Sequence, residues 1–281
     1  MDAQIMARIL KIFIDKEWKN RGEQLYNRVL QGMCSLVANL EDDKRDLILD
    51  LAERYEWIGT NEYQGKITEV LNKVDKQKLK KCRRIIVFPI MRPDDEAKVK
   101  SGHAMVYMIR GVTPFLDDFE GIDIKEIVRY DELLTLKIES DDLVFLVDDF
   151  LGSGETVNET LIEVLKNRSI SLDKLIIISV MIQKDSIDII EGYGVDLYYS
   201  DSHTKGISDF YADDEVEDKI NLMLEIEKLI KVERFFSLGY AQSEALVTMI
   251  RTPDNTFPVF WKDYKIGNKE FKAPFPRYIK K

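Results

Sequence analysis

Apolar positions along this chain change their spacing near residue 80. Before it they recur with a helical period. Leu25, Val29, Met33, Leu36 and Leu40 share one face, and Ile48, Leu51, Ala52 and Tyr55 share another. Ile67, Val70, Leu71 and Val74 form a narrow stripe on an otherwise polar helix. These faces read as packing surfaces, with Trp18 and Trp57 as partly buried anchors. Beyond residue 80 come short unbroken apolar runs: Ile85 to Phe88, Leu143 to Val147, Leu175 to Val180 and Val195 to Tyr199. Unbroken runs mark strands buried on both faces, as in parallel sheets. Helical segments alternate with them, so the middle of the chain is expected to be an α/β unit with right-handed parallel crossovers. Asp213, Asp214 and Glu215 open a further long helix, their charges matched to its N-terminal dipole. The tail ends in a turn cluster, Pro253 to Pro258, followed by an expected short aromatic strand up to Trp261.

Chemistry concentrates where the second of these strands ends. Leu143 to Val147 leads into Asp148 and Asp149, then Phe150 and Leu151, then Gly152-Ser153-Gly154-Glu155-Thr156 and a helical pattern. Open α/β sheets bind ligands outside the carboxyl ends of their strands. Adjacent carboxylates there repel a phosphate but accept hydrogen bonds from hydroxyls. The small-residue turn does the reverse, since it presents backbone N–H groups and the positive end of a helix. A ligand with vicinal hydroxyls at one end and a phosphate at the other satisfies both. Other strand-turn-helix motifs fit less well. A P-loop needs Gly-Lys-Ser/Thr, which is missing here, and Thr156-Val157 stands where a dinucleotide fingerprint needs its third glycine. Receiver domains carry paired acids but no such turn. A helix capped by Ser153 or Thr156 accounts for the turn and leaves the two carboxylates unexplained.

This segment resembles the 5-phosphoribosyl-1-pyrophosphate (PRPP) motif of the type I phosphoribosyltransferases. In that family apolar residues lead into an acidic pair, two mainly apolar residues and a Ser/Thr-Gly-x-Thr loop. Val144 to Val147, Asp148 with Asp149, and Ser153, Gly154 and Thr156 match it, while Phe145, Phe150 and Gly152 depart in side chain only. The resemblance implies a Rossmann-like parallel sheet with a helical N-terminal region and a C-terminal hood. The corresponding segments are 1–80, 81–238 and 239–281. It implies that Asp148 and Asp149 hold the ribose 2- and 3-hydroxyls and that residues 152 to 156 cradle the 5-phosphate. It also implies Mg, bridging pyrophosphate and ribose hydroxyls and so touching the acid pair indirectly.

The loop after the first strand should grip pyrophosphate, and it lacks the usual glycine-rich signature. Arg92, Lys98, Lys100, Ser101 and Gly102 are the candidates there. A flexible lid is expected between Gly111 and Asp142, although Asp117, Asp118, Glu120 and Asp123 make it acidic. Lys184 and His203 follow two later strands and are candidates for meeting the acceptor, His203 being equally readable as an exposed loop residue. The basic run from Lys76 to Arg84 reads either as a contact for a phosphate-rich partner or as a solvated helix end. Gly239-Tyr240 and the string from Asp254 to Trp261 also look like the ending of phosphoribosyltransferase-like domains of bacterial conflict systems. That narrower likeness implies an antiviral toxic effector held in check by protein partners.

Composition narrows the class rather than naming it. With 281 residues, 45% hydrophobic and 33% charged, the chain has the balance of a water-soluble globular protein. A net charge of −10 argues against broad binding to nucleic acid or anionic membrane, without excluding a local basic surface. Cys34, Cys82, His103 and His203 lack the spacing of a zinc site or a disulfide framework. Without a basic leader or a bilayer-spanning segment, the cytoplasm is the expected location. Two functions stay open at this level: pentosyl transfer from PRPP to an unnamed acceptor, or a non-catalytic sensor of PRPP or a phosphorylated nucleotide.

Overall fold

The structure is a computed structural model describing residues 2–266 and 269–277. In chain order its elements begin with helices α1 (Ala3–Asp15), α2 (Glu23–Ala38) and α3 (Asp42–Glu53), strand β1 (Glu56–Trp57), and helices α4 (Thr60–Lys73) and α5 (Lys76–Leu79). Next come β2 (Arg84–Pro89), α6 (Ser101–Val112), β3 (Asp123–Glu126), α7 (Tyr130–Thr135), β4 (Asp142–Leu151) and α8 (Glu155–Val164). The order continues with β5 (Leu175–Gln183), α9 (Lys184–Tyr193), β6 (Asp196–His203) and α10 (Asp213–Leu229). It closes with β7 (Val247–Thr248), α11 (Pro258–Trp261), β8 (Tyr264–Ile266) and β9 (Lys269–Phe271). The chain divides into two compact units, Met1–Asn61 with Thr204–Lys281, and Glu62–His203.

The first unit joins the two ends of the chain. Its helical faces are those the periodicity predicts except at Leu25, which is 55% exposed: Val29, Met33, Leu36, Ile48 and Leu51 share one core with Met223 and Ile226 of α10. Asp2 caps α1 by accepting from Ile5 N at 2.9 Å. Trp18 is fully buried at 1% exposure rather than a partial anchor, and Tyr55 stacks on Phe275 at 4.5 Å between ring centres. The expected aromatic strand before Trp261 is instead the helical turn α11. Pro258 supplies a preset helical φ at its first position, and Trp261 Nε1 donates back to Thr256 O at 2.7 Å, which closes the turn.

The second unit is an α/β layer with a five-stranded sheet in the order β3-β2-β4-β5-β6, every neighbouring pair parallel. It is the α/β unit that the strand-helix order predicts and the Rossmann-like parallel sheet that the resemblance implies. The chain moves outward from β2 to β3 and then returns to the other side of β2 as β4. This reversal makes the β2/β4 boundary the topological switch point, where open α/β sheets form their ligand crevice. β2 stays in register with β4 only as far as Pro89 opposite Val147, whereas β4 remains paired with β5 up to Leu151 opposite Ile182. Asp148 and Asp149 therefore stand on a stretch of β4 that has lost its β2 neighbour. The strand does not end at the acid pair but carries it.

The basic run after α4 is not simply a solvated helix end. Arg84 opens β2, and its guanidinium pairs with Asp142, joined by Arg83 at 3.2 Å. Lys76 pairs with Asp118 and Lys78 with Asp196, both at 2.7 Å. The stretch expected to be a flexible lid is built into the fold: β3 forms the edge of the sheet, and α7 buries Tyr130 and Leu133 beside it. His203, expected just past a strand, lies within β6. No helix among the described residues is long and apolar enough to cross a membrane.

Candidate functional site

Every residue of β4 is buried except Asp148, which is half-buried. Around it the backbone is drawn in tightly. A Cβ on Gly102, in the first turn of α6, would lie 2.9 Å from both Val147 O and Pro89 Cβ, so a bare glycine is what lets α6 begin against the strand ends. That approach puts Ser101 Oγ 2.6 Å from Asp148 Oδ1, to which it donates. Asp149 N donates to the same oxygen at 2.9 Å. Asp149, 6% exposed, receives the phenol of Tyr63 from α4 at 2.7 Å on Oδ2. Among the described residues neither carboxylate has an ion-pair partner.

Burial pushes the Asp148 carboxyl well above the usual aspartate range, and the neighbouring charge of Asp149 adds to it, outweighing the opposing bond from Ser101. Burial also raises Asp149, against the hydrogen bonds from Tyr63, Ser101 and Asp148. At the other end of the same strand Asp142 is treated differently. Its buried carboxylate is driven up by burial, but the bond from Arg84, the N–H of Glu139 at 2.8 Å and the charges of Arg84 and Arg83 hold it below the usual range. One strand thus carries a neutralised structural acid at its start and two acids without cations at the switch point.

The turn after β4 is fastened from behind. Ser186 Oγ, in α9, donates to Gly152 O at 2.8 Å. Gly154 caps α8 at φ +80°, and a Cβ there would come within 2.4 Å of Ile189 Cδ1 and 3.3 Å of Ser186 Cα. Glu155 N, at the start of α8, donates to Ser153 Oγ at 3.5 Å, and the first turn of a helix, whose N–H groups lack intrahelical acceptors, favours an anion. Thr160, fully buried, ties this helix to the exit of β2, its Oγ1 lying 3.0 Å from Met91 O and 2.8 Å from Thr156 O. A Gly154→Ala substitution should lower stability by about 1–3 kcal/mol through the strained αL backbone. Denaturant unfolding measures that loss, and the same variant should weaken binding of inorganic phosphate.

The cationic candidates are distributed unevenly. Arg92 reaches the turn, pairing with Glu155 at 2.9 Å and approaching Glu159 at 3.4 Å. Lys100 turns away to Asp95 at 2.5 Å, joined there by Lys98. Lys184 is exposed at the start of α9, two residues before Ser186. His203, half-buried, ends β6 opposite Gln183, two strands from the acid pair. Ser101 is thus the candidate from the β2–α6 connection that bonds directly to the acids. Tyr63 is the site residue that sequence reasoning missed. It extends the Ile67, Val70, Leu71 stripe by one turn, and a tyrosine in a buried aliphatic stripe needs a partner for its hydroxyl.

Among the described residues no three His, Cys, Asp or Glu side chains come together as a metal cage. The acid pair nevertheless supplies hard carboxylate oxygens of the kind that magnesium takes, directly or through water, alongside the phosphates of a substrate.

No curated protein matches the chain. A model of the PRTase-CE family, a phosphoribosyltransferase-type domain, matches residues 35–277. That match takes in most of the chain, the parallel sheet and the acid pair with its turn, and so the chain belongs to the PRTase-CE family.

Proposed function

We propose that this site binds the ribose 5-phosphate end of PRPP and that the protein transfers the pentosyl group to an acceptor with release of pyrophosphate. The observation that carries this reading is the pair Asp148–Asp149, which meets hydroxyl and amide donors instead of cations at the switch point. A carboxylate in that state is ready to accept from ligand hydroxyls. Its ionised form, disfavoured by burial, gains from each such donor. Gly152 to Thr156 receive the 5-phosphate, Glu155 being balanced by Arg92. Magnesium, when bound, would supply positive charge to the pyrophosphate, and Asp148 and Asp149 are the residues that would hold it, indirectly. In the transfer, the bond from the anomeric carbon to pyrophosphate oxygen breaks, the leaving group keeps the electron pair, and an acceptor lone pair forms the new bond. The protein's part is to position the pentose and exclude misaligned encounters. Lys100, Ser101 and Gly102 are assigned to the pyrophosphate side, Arg92 to the turn that it reaches, and Lys184 and His203 to the acceptor side.

Pyrophosphate release from PRPP and magnesium, offered with bases, nucleosides and RNA, tests this. The wild type should release it with at least one acceptor class, and Asp149→Asn should be slower by about a hundredfold or more, the scale of losing a hydrogen bond to a charged group at a reacting ligand. A second reading, sensing without turnover, is favoured by one specific feature. Arg92, Lys98 and Lys100 all hold carboxylates of the protein itself. Tight binding with no release for any acceptor would select it. The tail likeness carries a narrower proposal, that the activity is the toxic effector of a bacterial defence system restrained by protein partners. Asp149→Asn should then abolish toxicity on expression.

A further inference from the structure

Tyr63 is 1% exposed, on the same buried stripe of α4 as Ile67, Val70 and Leu71. Its hydroxyl donates to Oδ2 of Asp149 at 2.7 Å. The helix that carries it is itself fixed. Lys66 Nζ pairs with Asp201 of β6 at 2.5 Å, and Lys73 Nζ donates to Tyr199 O at 2.9 Å. Just past its end, Asp75 N donates to the Tyr198 hydroxyl at 3.1 Å. Both partners of the Tyr63–Asp149 bond therefore sit on rigid elements, a central strand and a helix pinned along its length to β6. A carboxylate held at one oxygen by a donor on a fixed helix is restrained about its last torsion. Its remaining lone pairs then point in fixed directions, the condition under which a site distinguishes a ligand hydroxyl from its absence.

We propose that Tyr63 is a positioning residue that orients Asp149 toward one ribose hydroxyl and so makes the site select ribose over deoxyribose. This rests on the reading of the acid pair as the hydroxyl-binding end of the site. It goes beyond that reading by placing the selectivity in a helix near the N-terminal end of the chain, far from the motif in sequence. A tyrosine that merely filled space would lower affinity for all sugars alike. A positioning tyrosine couples to one hydroxyl of the ligand, and coupling shows as non-additivity between protein and ligand changes.

The experiment is calorimetric titration of the full-length chain, with and without magnesium. The ligands are ribose 5-phosphate, 2-deoxyribose 5-phosphate, 3-deoxyribose 5-phosphate and inorganic phosphate. The wild type should bind one deoxy sugar about 10- to 100-fold more weakly than ribose 5-phosphate, the range for a hydrogen bond to a charged group. Tyr63→Phe should bind ribose 5-phosphate little better than that deoxy sugar, within about threefold, with inorganic phosphate affinity unchanged. Tyr63→p-aminophenylalanine, which keeps an N–H donor at similar reach, should restore the discrimination. A steep wild-type preference left intact in Tyr63→Phe overturns the role of Tyr63 alone. A wild type indifferent to both hydroxyls overturns the acid-pair reading and this proposal with it. If Tyr63→Phe fails to fold by circular dichroism, the amino variant decides. Folded but indiscriminate, it overturns the proposal.

Discussion

An Asp148→Asn variant should melt higher than the wild type at pH 8 while losing most of its affinity for ribose 5-phosphate. The two effects share one cause. In the free protein Asp148 is half-buried beside Asp149 without a cation, and burial with the neighbouring charge raises its pKa. A carboxyl whose folded pKa lies above its unfolded value of about 3.9 contributes stability that is fully present below that value. The contribution is lost as pH rises through the folded pKa. The wild type is therefore penalised at pH 8 and the amide is not. The expected gain is about 2–4 °C in Tm, the shift that roughly 1 kcal/mol produces in a protein of this size. It should shrink toward zero near pH 4. Differential scanning fluorimetry across that range checks the sign. Equal melting at pH 8 would mean that Asp148 is better compensated than its surroundings indicate. The loss of binding follows because the amide replaces a charged acceptor, a change of about 10- to 100-fold. Stability surrendered at a polar site for the sake of a ligand is a familiar trade.

Asp142→Ala should act in the opposite sense, with a larger loss and no direct effect on the ligand site. The Asp142 side chain is fully buried between Arg84 and Arg83 at the start of β4, and it also accepts from Glu139 N at 2.8 Å. Removing it strands the Arg84 guanidinium, which is 17% exposed. The expected cost is about 3 kcal/mol at pH 7, the lower end for breaking a buried pair because Arg84 still reaches solvent. Asp142 is held below its ordinary pKa by these partners, so its contribution is present above the unfolded value and is lost as pH falls through the lowered one. The difference between wild type and variant should thus narrow in acid, where the wild type also loses the pair. Urea unfolding at pH 7 and pH 3 measures both limits.

These two aspartates, six positions apart on one strand, show what can be read from a sequence and what cannot. The run from Leu143 to Thr156 is legible because strand, acids, turn and helix start are contiguous, and each element's local chemistry agrees with the next. The helical faces of α2, α3 and α10 are legible for the same reason, since a period of 3.6 survives in a string. What decides the character of each acid is not contiguous. Arg84 lies 58 positions from Asp142, Ser101 lies 47 from Asp148, and Tyr63 lies 86 from Asp149. Only the sheet order brings them together. β3 and α7 were hidden by their polar composition, because a short edge strand and a half-exposed helix need few apolar residues. Pro258 to Trp261 reads as a strand on aromatic content, yet its proline and the closing bond from Trp261 make it helical. The backbone from Leu238 to Glu244 was equally hidden. Leu238, Ala241, Gln242 and Glu244 all take positive φ, held there by contacts such as the Glu244 carboxylate on Ile207 N and Ser208 N at 2.8 Å.

The most direct test is titration of the full-length chain with PRPP and magnesium, read by heat and by thermal stability, beside Asp149→Asn. Saturable heat and a clear rise in Tm for the wild type, both lost in the variant while inorganic phosphate binding persists, is the predicted outcome. A wild type that gives neither heat nor a rise in Tm would contradict it.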